Sequence, residues 1–83
     1  MNKITLTRLK QAIRSNLDDR AGYILKKYGS YISIKDIKTL INYMNKYRIY
    51  PYRVVEYVYY ISPHREEFDP SADLKVTKTV SNP

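Results

Sequence analysis

Two amphipathic segments that meet at Pro51 constrain the fold of this chain more than any other feature. In the first segment, apolar residues recur every three or four positions, which is the spacing of one face of an α-helix. They are Ile34, Ile37, Leu40, Ile41, Met44 and Tyr47. Ser33 and Asp36 form a capping pattern immediately before and within the first turn, so we expect a helix over residues 34–47.

The segment after Pro51 is open to two interpretations. Proline is favourable at the first position of a helix, and Val54 and Val58 recur at helical spacing. The same segment is rich in β-branched and aromatic residues, which favour a strand. A strand would place Glu56 on an otherwise apolar side. We therefore predict a helix over residues 52–61 and keep the strand as the alternative.

The N-terminal third of the chain predicts two further helices. Thr5 or Thr7 can cap the first helix, over residues 5–17, by accepting a hydrogen bond from an early backbone N–H. Gly29 is expected to end the second helix, over residues 18–28, in the left-handed conformation that glycine adopts readily. Whether the second helix continues the first or breaks from it stays open at this stage.

The 83 residues are enough for one small domain, and these elements predict a mainly α fold of three or four helices. The helical body should span residues 1–62, and residues 63–83 should form a charged connector and a short tail. Leu74, Val76 and Val80 alternate as in one short strand, whereas the prolines and serines around them indicate a loose tail.

The charge of the chain is concentrated in the helical body. Twelve basic and four acidic residues give residues 1–62 a net charge of +8, whereas three basic and four acidic residues give residues 63–83 a charge of −1. A basic body favours anionic partners, namely nucleic acid, an acidic protein surface or a membrane surface. A membrane is the least favoured of these, because no apolar run approaches the length of a span and the first helix offers no Trp or Phe.

The side chains that catalysis and metal binding need are scarce in this sequence. The absence of cysteine excludes a disulfide framework and a thiolate zinc site. His64 is the only histidine, and Gly22 and Gly29 are the only glycines, which excludes a glycine-rich phosphate loop. We therefore expect a protein that is not an enzyme and that needs no cofactor or metal.

The polar face of the helix over residues 34–47 and a basic row on the first helix predict a nucleic-acid-binding surface. Lysine and arginine neutralise phosphates, and asparagine pairs with the edge of adenine in the major groove. The candidate phosphate contacts are Lys10, Arg14, Lys35, Lys38 and Lys46, and the candidate base contacts are Asn42 and Asn45. We therefore favour a cytoplasmic regulatory or accessory protein that binds nucleic acid, with DNA preferred; the alternative for these residues is a solvated helix face without a ligand.

The ten tyrosines support a rival function, a small protein-interaction module. Its candidate contacts are Tyr50, Tyr52, Tyr59 and Tyr60. By contrast, Tyr28, Tyr47 and Tyr57 are expected to pack their rings in the core. A phage-type inhibitor that blocks a larger host complex fits the size of the chain and the scarcity of catalytic groups, and self-association into a homodimer is a further alternative.

Overall fold

The computed structural model describes residues 1–75, and over this range the chain is mainly helical, as the sequence predicts. The α-helices are α1 (Lys3–Arg14), α2 (Asp18–Tyr28), α3 (Ile34–Tyr47), α4 (Tyr52–Glu56) and α5 (Pro70–Asp73). Two 3-10 turns, at Gly29–Tyr31 and Arg65–Glu67, and one π-helical turn, at Tyr57–Ile61, complete the described elements. Within these residues no helix is long and apolar enough to cross a bilayer.

Helix α1 begins earlier than the sequence predicts, because Asn2 caps it. The Oδ1 atom of Asn2 accepts a hydrogen bond from the Thr5 N–H at 2.8 Å, so the predicted threonine cap is wrong. At the other end, Asn16 has a φ of 54°, and the Leu17 N–H donates to the Ala12 carbonyl oxygen at 2.8 Å. Asparagine tolerates the left-handed conformation, so the chain reverses here and α2 is a separate helix.

Gly29 ends α2 for a different reason from the one predicted. Its φ is −80°, which any residue adopts, so the prediction of a left-handed glycine is wrong. The requirement is space: a Cβ atom on Gly29 would lie 2.6 Å from Cζ of the buried Tyr57 ring. The Tyr57 hydroxyl donates to the Gly29 carbonyl oxygen at 2.6 Å. This Gly29–Tyr57 contact fixes the end of α2 against the π-helical turn.

Helix α3 has the bounds and the cap that the sequence predicts. The Ser33 hydroxyl oxygen accepts a hydrogen bond from the Asp36 N–H at 3.0 Å. The helix ends at Arg48, whose φ of 57° is left-handed and whose N–H donates to the Met44 carbonyl oxygen. The Ile49 N–H donates to the same oxygen at 3.2 Å, which completes the turn out of the helix.

The segment after Pro51 is helical, so the strand alternative is wrong. After α4 the helix widens into the π-helical turn, in which the Ser62 N–H donates to the Tyr57 carbonyl oxygen at 2.8 Å. The wider turn changes the angular spacing of the side chains. As a result Tyr59 is buried, whereas the next residue, Tyr60, is exposed.

Helix α4 is attached to the start of α2 by charge and by a cap. The Asp18 carboxylate accepts a hydrogen bond from the Arg53 N–H at 2.9 Å, which satisfies a free donor in the first turn of α4. The Arg53 Nε atom also lies 3.5 Å from Asp18 and 3.3 Å from the Asp19 carboxylate. Together with the Gly29–Tyr57 contact, these bonds hold both ends of α2 to the C-terminal helical segment.

One apolar core joins α1, α2, α3 and the C-terminal helical segment. Its buried aliphatic side chains are Leu9, Ala12, Ile13, Ala21, Ile24, Leu25, Ile32, Ile37, Leu40, Ile41, Met44, Val54, Val58 and Leu74. Leu74 brings the segment after Pro63 onto this core. The sequence predicts no helix beyond Pro70, whereas α5 forms one turn there, capped by the Asp69 carboxylate. Two residues of the predicted tail strand, Val76 and Val80, lie outside the described residues.

Candidate nucleic-acid interface

Two tyrosines at the seam between α1 and α3 lie among cations from both helices. The ring centroids of Tyr43 and Tyr47 are 4.9 Å apart, with their planes tilted by 60°. The Lys10 ammonium lies 5.3 Å from the Tyr43 centroid, and the Arg14 guanidinium lies 4.2 Å from the Tyr47 centroid. The Lys46 ammonium lies 5.3 Å from the Tyr47 centroid. We call these five residues the cation–tyrosine patch.

Helical spacing on both sides of the seam produces this arrangement. Lys10 and Arg14 are four residues apart on α1, and Tyr43 and Tyr47 are four residues apart on α3, so each pair lies on one side of its helix. Packing α1 against α3 then sets the cation row beside the ring row. A cation within about 6 Å of a tyrosine ring is stabilised by roughly 0.5–1 kcal/mol at an exposed site.

The cations of the patch have no carboxylate partner within residues 1–75. Lys10, Arg14 and Lys46 form no ion pair with any residue in this range. The acidic groups of α2 are instead held by Arg53. The positive charge at the seam is therefore not neutralised locally, and it attracts anions.

The other half of the predicted surface faces a different environment. Lys38, Asn42 and Asn45 line an open cleft between α3 and residues of the C-terminal segment. Across this cleft lie Glu67 and Asp73 from the acidic C-terminal segment. The predicted polar face of α3 is thus divided: Lys46 joins a cation of α1, whereas Lys38, Asn42 and Asn45 lie beside carboxylates.

Asn45 has a structural role that argues against its predicted role as a base contact. Its side-chain Nδ2 donates to the Asp73 carbonyl oxygen at 2.9 Å. Its Oδ1 accepts hydrogen bonds from the Tyr50 hydroxyl and from the Lys75 N–H, each at 3.0 Å. Because both ends of the amide are engaged, Asn45 ties the C-terminal segment to α3 instead of facing a ligand.

The seven predicted contact residues therefore separate into groups. Lys10, Arg14 and Lys46 come together in the patch. Lys35 is exposed on α3, but it lies eleven residues before Lys46, about 16 Å along the helix axis. The remaining three, Lys38, Asn42 and Asn45, line the cleft.

The predicted tyrosine cluster of the rival function is reduced to two members. Tyr59 is buried, and its hydroxyl meets no hydrogen-bond acceptor in good geometry within residues 1–75, although the Asp73 carboxylate is near. Burial, and then the charge of Asp73, raises the pKa of Tyr59. Tyr50 is half-buried against the core. Tyr59 therefore offers almost no surface to a partner and Tyr50 only part of its ring, whereas Tyr52 and Tyr60 are well exposed.

Sequence reasoning missed a second group of aromatic and cationic side chains at the end of α2. The Lys27 ammonium lies 5.7 Å from the Tyr23 ring centroid and 5.4 Å from that of Tyr28, and it donates to the Tyr23 hydroxyl at 3.4 Å. Tyr28 is 45% exposed, so its predicted core position is wrong, and Tyr31 is 90% exposed. We call these four residues the α2 tyrosine group. The four-residue spacing of Tyr23 and Lys27 on the outer side of α2 could have indicated it.

The described residues provide little for catalysis. Within residues 1–75, no three histidine or carboxylate side chains group as metal ligands, and the only histidine, His64, contacts Glu67 at 3.2 Å on a partly exposed turn. Comparisons with models of known protein families, with curated proteins and with solved structures find no match for this chain.

Proposed function

We propose that this chain is a small, non-enzymatic nucleic-acid-binding protein of the cytoplasm, with DNA as the favoured partner and a regulatory or accessory role. The observation that supports it most is the cation–tyrosine patch, where three cations from two helices converge without a carboxylate partner in residues 1–75. Such cations replace the counterions condensed on a phosphate backbone, and the released counterions drive binding.

The tyrosines of the patch support contact with the backbone in preference to the bases. Tyr43 and Tyr47 are half-buried, and Tyr43 packs against the apolar core. These rings are therefore poorly placed to stack on bases, but they hold the cations in position. Restrained cations lose less side-chain entropy when a phosphate binds.

The salt dependence of DNA binding tests this proposal. Arg14→Gln combined with Lys46→Gln removes two cations of the patch and keeps their apolar stems. Each lost phosphate contact should lower the slope of log affinity against log salt by about 0.9, so the slope should fall by about 2 for a duplex. The measurement is a binding titration at several salt concentrations, accompanied by thermal unfolding of each variant.

A matched control carries the same change in net charge. Arg8→Gln combined with Arg20→Gln removes two exposed cations outside the patch. This control should keep the slope of the unmodified protein to within about 1. Equal slopes in the two variants, or binding that does not respond to salt, would refute the proposal.

A second candidate function is a protein-interaction module, such as a phage-type inhibitor of a larger host complex. It is favoured by the adjacent exposed side chains of Tyr60 and Ile61 on the π-helical turn, together with Tyr52, which is 70% exposed. Tyr52→Ala combined with Tyr60→Ala should then abolish capture of a stoichiometric partner that survives nuclease treatment. Unchanged capture by this variant would count against the module, and sedimentation of the chain alone would test the homodimer alternative.

A further inference from the structure

The α2 tyrosine group offers aromatic surface of a kind that the cation–tyrosine patch lacks. Tyr23 is 60% exposed and Tyr31 is 90% exposed. Tyr31 makes no ring contact and no hydrogen bond through its side chain within residues 1–75. Tyr28, the last residue of α2, precedes it by three positions and is 45% exposed. The end of α2 thus presents several rings to solvent within a short stretch of chain.

The turn that bears these rings is held firmly. Gly29, between Tyr28 and Tyr31, accepts a hydrogen bond on its carbonyl oxygen from the buried Tyr57 hydroxyl at 2.6 Å, and the Tyr57 ring occupies the space that a Cβ atom on Gly29 would need. A tyrosine phenol is neutral at about pH 7, so the Tyr57 hydroxyl acts as a hydrogen-bond donor there, and burial raises its pKa further. A pre-positioned aromatic surface loses little conformational entropy when a ligand binds.

The charge around the group is positive. Lys27 lies between the Tyr23 and Tyr28 rings, and Lys26 is exposed beside it. Two carboxylates at the opposite end of α2 are paired with Arg53, and Glu56 lines the same shallow pocket as Lys26 but forms no ion pair with it within residues 1–75. Exposed rings next to unpaired cations suit a ligand that has flat, apolar faces and negative charge.

We propose that the α2 tyrosine group binds single-stranded nucleic acid, with unpaired bases stacked on the exposed rings and Lys26 and Lys27 on the phosphates. Stacking on aromatic side chains is tolerant of sequence, because every base has a π face. Bases within a duplex are already stacked, so this surface discriminates against duplex. The proposal adds a second surface to the proposed function, and its test is chosen so that the two can fail separately.

The experiment uses the full chain and two probes, a fluorescent oligothymidylate of about 12 nucleotides and a duplex of about the same length. Tyr23→Ala combined with Tyr31→Ala should weaken binding to the single strand by about tenfold or more and change duplex binding by less than about twofold. The matched control, Tyr52→Ala combined with Tyr60→Ala, removes two tyrosines of similar exposure on another helix. It should leave single-strand affinity within about twofold of the unmodified chain.

Single substitutions at Tyr31 make the test independent of folding, because this side chain is almost fully exposed. Tyr31→Phe should bind the single strand about as tightly as the unmodified chain, whereas Tyr31→Leu, which is of similar apolarity but has no ring, should bind it more weakly. Equal binding by the two variants would show that the ring acts only as apolar surface, and that result would overturn the proposal.

The remaining outcomes separate this proposal from the previous one. Failure to bind the single strand, or equal loss in the Tyr23/Tyr31 and Tyr52/Tyr60 variants, overturns the single-strand site. Neither result tests duplex binding, which the proposed function assigns to Arg14 and Lys46 of the cation–tyrosine patch. A polyglutamate peptide that competes as well as the oligonucleotide would also overturn the site, because it would assign the surface to an acidic protein segment.

Discussion

Replacing Gly29 by alanine should destabilise the protein for a reason that lies outside the local backbone. Gly29 has an ordinary helical conformation, so alanine is acceptable to the backbone itself. The new methyl group, however, would meet the hydroxyl and Cζ of Tyr57, the latter at 2.6 Å. Tyr57 is buried, so its ring cannot move aside without disturbing the core.

The expected loss of stability follows from two terms. Overpacking a well-packed site costs about 1–3 kcal/mol, and loss of the hydrogen bond from Tyr57 to the Gly29 carbonyl oxygen costs about 1 kcal/mol more. The sum, about 2–4 kcal/mol, is a large part of the roughly 5 kcal/mol expected for a domain of this size. The midpoint of thermal unfolding should fall by at least about 8 °C.

Gly22→Ala is the matched control. A Cβ atom on Gly22 would meet Cδ of Arg53 most closely, and because this side chain is 55% exposed, its outer part can rotate away at the cost of its surface ion pairs with Asp18 and Asp19. That loss is about 0–1 kcal/mol, and alanine gains about 1 kcal/mol over glycine inside a helix. Gly22→Ala should therefore change stability by less than about 1 kcal/mol. Thermal unfolding by circular dichroism compares the variants, and equal effects at the two glycines would refute the reasoning.

Three further predictions concern stability. Asn45→Ala removes three hydrogen bonds, so the free energy of unfolding should fall by about 1–3 kcal/mol. Hydrogen exchange of the Lys75 amide should also become faster, and unchanged exchange would contradict the structural role of Asn45. Arg48→Gly relieves a left-handed residue at the end of α3 and should stabilise the protein by about 0.5–1 kcal/mol in urea unfolding, whereas a loss of stability would contradict this. Burial raises the pKa of Tyr57 in the folded chain above the pKa near 10 of a tyrosine in the unfolded chain. The neutral phenol therefore makes its full contribution to stability below about pH 10, and this contribution is lost as pH rises through the higher pKa of the folded chain. The fall in stability above about pH 10 should be smaller in Tyr57→Phe than in the unmodified chain, and equal pH profiles would argue against this role of Tyr57.

Features encoded over a few residues could be predicted from the sequence. The cap at Ser33 and the apolar spacing of α3 fix that helix locally, and its bounds agree with the prediction. Proline at position 51 likewise indicated the start of a helix, which begins at the next residue. These signals depend on the periodicity of one helix and on hydrogen bonds within one turn, so they survive in any tertiary context.

Features that depend on distant residues could not be predicted. The requirement for glycine at position 29 comes from Tyr57, 28 residues away. Asn45 bonds to residues 28 and 30 positions further along the chain, so its polarity alone could not separate a structural amide from a ligand contact. The burial of Tyr59 depends on the π-helical turn, which an α-helical projection does not anticipate.

The geometry of the candidate interface also depends on residues that are distant in the sequence. Lys10, Arg14 and Lys46 could be placed on the outer sides of their helices from spacing alone. Their meeting around Tyr43 and Tyr47 depends on how α1 packs against α3, and two amphipathic helices can pack at several angles. The division of the α3 polar face has the same origin, because the acidic C-terminal segment reaches it through tertiary contacts.

The central claim is that cations from α1 and α3 form one docking surface for phosphates. Its most direct test is nuclear magnetic resonance of the isotope-labelled chain during titration with a short DNA duplex. The claim predicts that the largest shifts occur together at Lys10, Arg14, Tyr43, Lys46 and Tyr47, and that they fade as salt is added. Shifts confined to Tyr52, Tyr60 and their neighbours, or no shifts at low salt, would contradict it.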